Sequence, residues 1–295
     1  MRKSVFIYFA ACLLVSCASG HEKQFDTSLP EIRSLESYTE TLLSYVESNP
    51  RLEAKVIGVV EYRNFRAELY AVIFTPPGEA LHTVLVTGGV HGNEPAGADF
   101  TLSLVQTLAD ESTDFRSTSF EIIPIVNLWG WVHDSRFNYN GKDINRDFSS
   151  FETQEAAIVK NYLSGRSFDF VIDHHEDPHA KGVYLYQYGN RDTSAARRVL
   201  TEVKTLGYPL EEEVNMIILK TDNGLIEAPM WGLRYMRVTG QLSITNYARL
   251  KLSDIVYTVE TPVNLPIAER IKIHRLIFAG LAEHAGMISV SFIKE

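Results

Sequence analysis

The feature that most restricts the fold is a strand, a turn and a helix written in succession between residues 82 and 108. An apolar β-branched run, Thr83-Val84-Leu85-Val86-Thr87, enters the turn Gly88-Gly89-Val90-His91-Gly92-Asn93-Glu94-Pro95, which opens onto the helix-like Ala96-Gly97-Ala98-Asp99-Phe100-Thr101-Leu102. Such a turn aims side chains into a cleft. The glycines let the backbone bend tightly enough for the His91 imidazole and the Glu94 carboxylate to converge on one cation. Read alone, the pair is equally a loop histidine and a charge favoured by the helix dipole. A hydrolytic zinc site needs three protein ligands and an open position, so a third His or carboxylate has to come from elsewhere.

The chain continues in a β-α-β rhythm. Periodicity predicts an amphipathic helix over 31–48, a hairpin of strands 55–62 and 68–75, a strand over 82–87 and a helix over 97–108. A strand over 120–126, an aromatic loop over 127–140, a helix over 152–163, a central strand over 168–172 and a helix over 195–206 follow. Residues 210–252 read as irregular loops and short strands, ahead of a strand over 255–259 and a long helix over 265–284. One α/β catalytic domain over 31–295 is expected.

Three further motifs fall at loops and strand ends. Arg136, Asn145 and Arg146, in Ser135-Arg136-Phe137-Asn138 and Asp143-Ile144-Asn145-Arg146-Asp147, offer planar donors for a carboxylate or a developing oxyanion. Asp143 suits the free N–H of a metal-bound histidine, and the bland alternative is a surface loop whose charges pair among themselves. Asp173-His174-His175-Glu176 ends the expected central strand, where open parallel sheets place ligands. Adjacent strand residues face opposite ways, so one of His174 and His175 belongs in the cleft and the other behind it. Glu260 ends the apolar strand Tyr257-Thr258-Val259, a costly place for a carboxylate unless it faces a polar cleft, and it suits a general base.

The first residues form a separate unit. Arg2 and Lys3 precede an apolar stretch over 5–15 too short for a comfortable membrane span, which reads as an export signal. Leu14-Val15-Ser16-Cys17-Ala18 resembles a bacterial lipobox, so a signal peptide over 1–16, lipidation at Cys17 and a tether over 17–30 are expected; a plain cleaved signal is the alternative. Ala18 and Ser19 lack the Asp of inner-membrane retention, pointing to the periplasmic side of the outer membrane in a cell with two membranes. The two cysteines of the chain, Cys12 and Cys17, both lie here, so the domain expects no disulfide, no thiol nucleophile and no Cys ligand to zinc. A net charge of -9 argues against a nucleic-acid partner.

Taken together, HxxE, an Arg, Asp-x-Asn-Arg, Asp-x-His and Thr-x-Glu resemble the zinc carboxypeptidases and their deacylase relatives, the succinylglutamate desuccinylases and aspartoacylases, over residues 52–284. The resemblance implies a mixed, mostly parallel central sheet flanked by helices, with one zinc ion per chain at the strand ends. It implies His91, Glu94 and His175 as metal ligands, Glu260 as general base and Arg136 for the oxyanion. Asn145 with Arg146 would grip a substrate carboxylate, and Asp143 would orient His91. The chain departs from the pattern in carrying His174 where the motif's middle residue is usually apolar. The tyrosine that closes over bound peptide has two candidates, Tyr235 and Tyr247.

The expected function is a zinc-dependent carboxypeptidase cutting a C-terminal amide through a metal-activated water, with murein peptides as an envelope substrate. The alternative is a zinc-dependent deacylase of an N-acyl amino acid with a free carboxylate. A non-catalytic binding lipoprotein is a third reading, disfavoured by the presence of Glu260.

Overall fold

A computed structural model describes residues 25–110, 115, 117–189, 192–212 and 220–288. The expected signal peptide, Cys17 and residues 17–24 of the expected tether lie outside these residues. Among the described residues, eight strands form one sheet: β1 (Leu52–Tyr62), β2 (Phe65–Phe74), β3 (His82–Gly88), β4 (Thr118–Ile123), β5 (Phe170–Asp177), β6 (Tyr184–Tyr188), β7 (Leu225–Ala228) and β8 (Val256–Pro262). Their order is β1-β2-β4-β3-β5-β8-β6-β7. The central strands β4, β3, β5 and β8 run parallel, while β1 and β2 close one edge as an antiparallel hairpin and β6 pairs antiparallel with β8. The mixed, mostly parallel α/β sheet is therefore as expected.

Helices cover both faces, which is why β3 reads as an unbroken apolar run. Val84 and Val86 pack beneath Phe100, Leu104 and Phe278, from α2 (Pro95–Ala109) and α8 (Ile267–His284). Leu85, between them, points to the other layer with Ile123, Val159 and Ala248. That second layer includes α3 (Leu128–Val132), α4 (Gln154–Leu163), α6 (Met230–Val238) and α7 (Ile244–Lys251). On the first side, α1 (Leu35–Glu47) packs on α2, and α5 (Ser194–Thr205) on α8.

Most expected elements sit close to their observed bounds, but β5 runs on to Asp177, so the motif of residues 173–176 lies within the strand, and β6 matches no expected element; three further differences stand out. Within the expected aromatic loop, α3 forms a single buried turn that starts where the Asn127 side chain accepts the Gly130 N–H at 2.9 Å. The segment expected to be irregular holds β7, α6 and α7, elements of four, nine and eight residues that are too short for a clear period. Phe25, within the expected tether, touches the domain: its ring meets Trp129 at 5.7 Å and Phe137 at 6.0 Å. No helix among the described residues is long and apolar enough to cross a membrane.

Candidate metal centre

The turn after β3 carries His91 and Glu94 to the carboxyl end of the sheet, where both are buried. Its tightness depends on Gly92, since a Cβ there would lie 1.9 Å from the Gly130 carbonyl carbon. One strand away, Gly88 pairs with His174 in parallel register, which brings His175 level with the turn. Glu94 then bridges the two imidazoles, with Oε1 2.7 Å from His91 Nδ1 and Oε2 2.6 Å from His175 Nδ1.

The outer nitrogen of each ring meets a carboxylate. His91 Nε2 lies 3.2 Å from Asp143 Oδ1, and His175 Nε2 lies 2.7 Å from Asp173 Oδ2. Asp173 is held in turn by the Thr87 hydroxyl, which donates at 2.6 Å. This arrangement fits a cation: neutral imidazoles donating Nε2–H outward direct their Nδ1 lone pairs at the site, and the three ligand atoms lie within 4.8 Å of one another. The donor set of two nitrogens and a carboxylate, with no thiolate, is that of hydrolytic zinc sites.

Electrostatics agree with the geometry. Burial would raise the Glu94 carboxyl, but the two imidazoles overcome it and hold the group well below the usual range. Burial opposes a charge on His175, yet Asp173 and Glu94 hold its protonated form well above the ordinary histidine value. Such a centre favours positive charge, whether a proton or a metal ion.

Glu260 pairs in register with His175 across β5 and β8, so both side chains leave the same face of the sheet. It is half-buried. Burial, with Glu94, Asp177 and Asp173 adding to it and His175 opposing, pushes its carboxyl well above the usual range.

Arg136 donates from Nε and Nη2 to Asp143 Oδ2 at 3.1 and 2.9 Å, and its Nη1 lies 3.5 Å from Glu94 Oε1. Asp143 thus links Arg136 to His91 while its other contact, the Asn145 N–H at 3.0 Å, caps the 3-10 turn Ile144–Arg146. Asn145 Oδ1 accepts the Ile244 N–H at 3.0 Å, and its Nδ2 lies 3.4 Å from His175 Nε2. The amide therefore joins α7 to His175 of the candidate centre, while Arg146, with Nη1 on the Asn145 carbonyl, remains half-buried beside it.

The choice within the His pair is decided by strand alternation. His175 joins the cluster, and His174 turns the other way into a pocket with Phe100 and His274, its Nδ1 3.0 Å from His274 Nδ1. Of the two tyrosine candidates, Tyr247 is lodged against Phe151 at 5.6 Å, and Tyr235 is exposed on α6.

Sequence reasoning missed two features. Asp173 orients His175 as Asp143 orients His91, and the signal was present: residues two apart on a strand share a face. Tyr184, Tyr186 and Tyr188 on β6 form a row whose first two rings lie 5.6 Å apart and the next two 6.0 Å apart, and Tyr184 pairs with Glu260. That strand is antiparallel to β8, a pairing no local pattern announces.

Residues 80–217 match the succinylglutamate desuccinylase/aspartoacylase catalytic domain. The chain is 30% identical over 132 residues to carboxypeptidase E of Caenorhabditis elegans, covering 35% of this chain and 26% of that protein. It is 28% identical over 135 residues to the human N-acyl-aromatic-L-amino acid amidohydrolase (carboxylate-forming), covering 40% and 41%. It therefore spans less than half the length of either curated relative. A metallo-carboxypeptidase structure from Burkholderia cenocepacia superposes with a TM-score of 0.60 at 18% identity, over 85% of this chain and 69% of that one. By sequence over residues 80–217 and by fold over most of its length, the chain resembles the metallocarboxypeptidases and the succinylglutamate desuccinylase/aspartoacylase enzymes.

Proposed function

We propose that the chain is a zinc-dependent hydrolase that removes the C-terminal residue of a peptide. The observation that carries this reading is Glu94 bridging His91 and His175, with Glu260 in register beside them on β8. His91, Glu94 and His175 would hold the ion. A bound zinc ion lowers the pKa of water toward about 7 and polarises a scissile carbonyl.

Glu260, its carboxylate raised by burial, takes a proton from the attacking water and returns it to the departing amine. Arg136, pinned by Asp143 at the rim of the centre, meets the negative charge that develops on the carbonyl oxygen. Arg146 holds the substrate's terminal carboxylate, and Asn145 keeps that loop in place through α7.

A deacylase acting on an N-acyl amino acid is the second reading, favoured by the family match over residues 80–217 and by the human amidohydrolase. Both substrates carry a free carboxylate and need the same centre. The lipobox-like run at Cys17 supports lipid anchoring in the envelope, and that location is what brings murein peptides into the substrate panel.

The test uses wild type beside Glu260→Gln, with zinc content and hydrolysis of C-terminal peptides, murein peptides and N-acyl amino acids measured on one preparation. Zinc near one per chain in both proteins is expected, with kcat of Glu260→Gln down by about 10²–10⁴-fold. The substrate cleaved by wild type separates peptidase from deacylase. An equally active Gln variant would remove Glu260 from the mechanism, and zinc without hydrolysis would favour a binding lipoprotein.

A further inference from the structure

Glu94 occupies the N-cap position of α2 yet makes no side-chain capping bond, because both its oxygens are turned to His91 and His175. A carboxylate at that position ordinarily accepts its own helix's first amides. Here the Ala96 N–H donates instead to Glu176 Oε2 at 2.8 Å, from the strand residue that follows His175. The Glu176 N–H in turn donates to Glu94 Oε2 at 3.1 Å. Two bonds therefore run in opposite directions between the turn that supplies two ligands and the strand that supplies the third.

The Glu176 side chain has no solvent exposure, and burial raises its carboxyl against the Ala96 amide and Arg270. Arg270, reaching in from α8, ion-pairs with Glu176 Oε1. An unpaired carboxylate at this depth would be costly, so the arginine is what permits it. The approach of α2 to β5 is also close: a Cβ at Gly97 would lie 2.3 Å from the His174 carbonyl oxygen.

We infer that Glu176, held by Arg270, is a positioning residue that caps α2 in place of Glu94, frees the Glu94 carboxylate for the cation, and sets the spacing between Glu94 and His175. The inference rests on the metal-dependent reading above. Without Glu176, the uncapped amides of α2 and the Glu94 carboxylate meet directly, and Glu94 is drawn from bridging ligand towards helix cap.

The experiment measures Zn²⁺ affinity of the full chain by competition with a chelating dye, with thermal unfolding recorded on the same samples. Glu176→Gln is expected to bind zinc about 10–100-fold more weakly than wild type, the range for groups that orient metal ligands. Arg270→Met should weaken binding likewise, and Arg270→Lys, which keeps the charge, should recover most of it. Glu176→Gln that unfolds at lower temperature but binds zinc with wild-type affinity would make the pair a brace of the fold alone and overturn the inference. Where Glu176→Gln does not fold, the two Arg270 variants decide: unequal affinities support the positioning role and equal ones overturn it. A wild type that takes up no zinc overturns the metal reading and this inference together, an outcome distinct from a loss confined to the variants.

Discussion

His174 and His175 are neighbours in the chain and opposites in chemistry. On the cleft face of β5, His175 stands between Asp173 and Glu94, whose carboxylates favour positive charge there, a proton or a metal ion, against the cost of burial. On the other face, His174 meets Phe100 and His274, and burial, followed by repulsion from His274 and His175, pushes it well below the ordinary value. Both rings are almost fully buried, at 1% and 2% exposure, so depth does not separate them. What differs is the partner each face supplies, carboxylates on one and an aromatic ring with a second neutral imidazole on the other. Desolvation alone discharges a histidine, and a carboxylate on the outer N–H orients the neutral ring so that its other nitrogen can face a cation.

The strongest way to break this contrast is to exchange the two losses. Removing a ligand leaves two side chains on the ion, so His175→Gln is expected to bring zinc from near one per chain to near zero, while His174→Gln retains it. Metal analysis after desalting reads both, and a protein that loses zinc only with His174→Gln would reverse the assignment. A smaller effect should come from the carboxylate that distinguishes the faces. Asp173→Asn keeps the shape but weakens the orientation of His175, with zinc affinity falling about 10–100-fold. An unchanged dissociation constant would show that Thr87 and Asp173 only fill space.

The smallest effect concerns the back face and appears as a pH dependence of stability. His274 is pushed down to about 3, first by burial and then by the charges of His175 and Arg270. Its folded value lies below its unfolded one, so the neutral ring's contribution is whole above about pH 6.5 and declines as pH falls towards 3, where the unfolded chain takes up the proton first. Between pH 6.5 and 5 that loss amounts to at most about 2 kcal/mol, at about 1.4 kcal/mol per pH unit. Urea midpoints of the metal-free protein should therefore fall less steeply for His274→Gln than for wild type. Parallel curves would mean that His274 contributes nothing to the pH dependence of stability.

Much of the centre was legible because its rules are local. Strand alternation puts His174 and His175 on opposite faces without saying which face is the cleft, and a glycine-flanked turn brings His91 and Glu94 together within four residues. The same alternation puts Asp173, two residues before His175, on the same face. Less legible was the stretch from 210 to 252, where β7, α6 and α7 are held by contacts such as Ile244 N–H to Asn145, 99 residues apart. Tyr247 shows the same limit, since its neighbours Phe148 and Phe151 come from the far side of β5 in the chain.

By itself, the sequence determined the α/β rhythm, the turn that follows β3, the absence of cysteine beyond residue 17, and the residue types available as ligands. These depend on periods of two and 3.6 residues and on backbone freedom at glycine, all properties of a few adjacent residues. Only the tertiary structure decided that Asp143 meets His91 from 52 residues away, that Glu260 stands level with His175, and that Arg270 neutralises Glu176 from 94 residues away. Those contacts follow from strand order and register, and from the need of each buried charge for a partner. Both needs are met only when the whole sheet and its covering helices are in place.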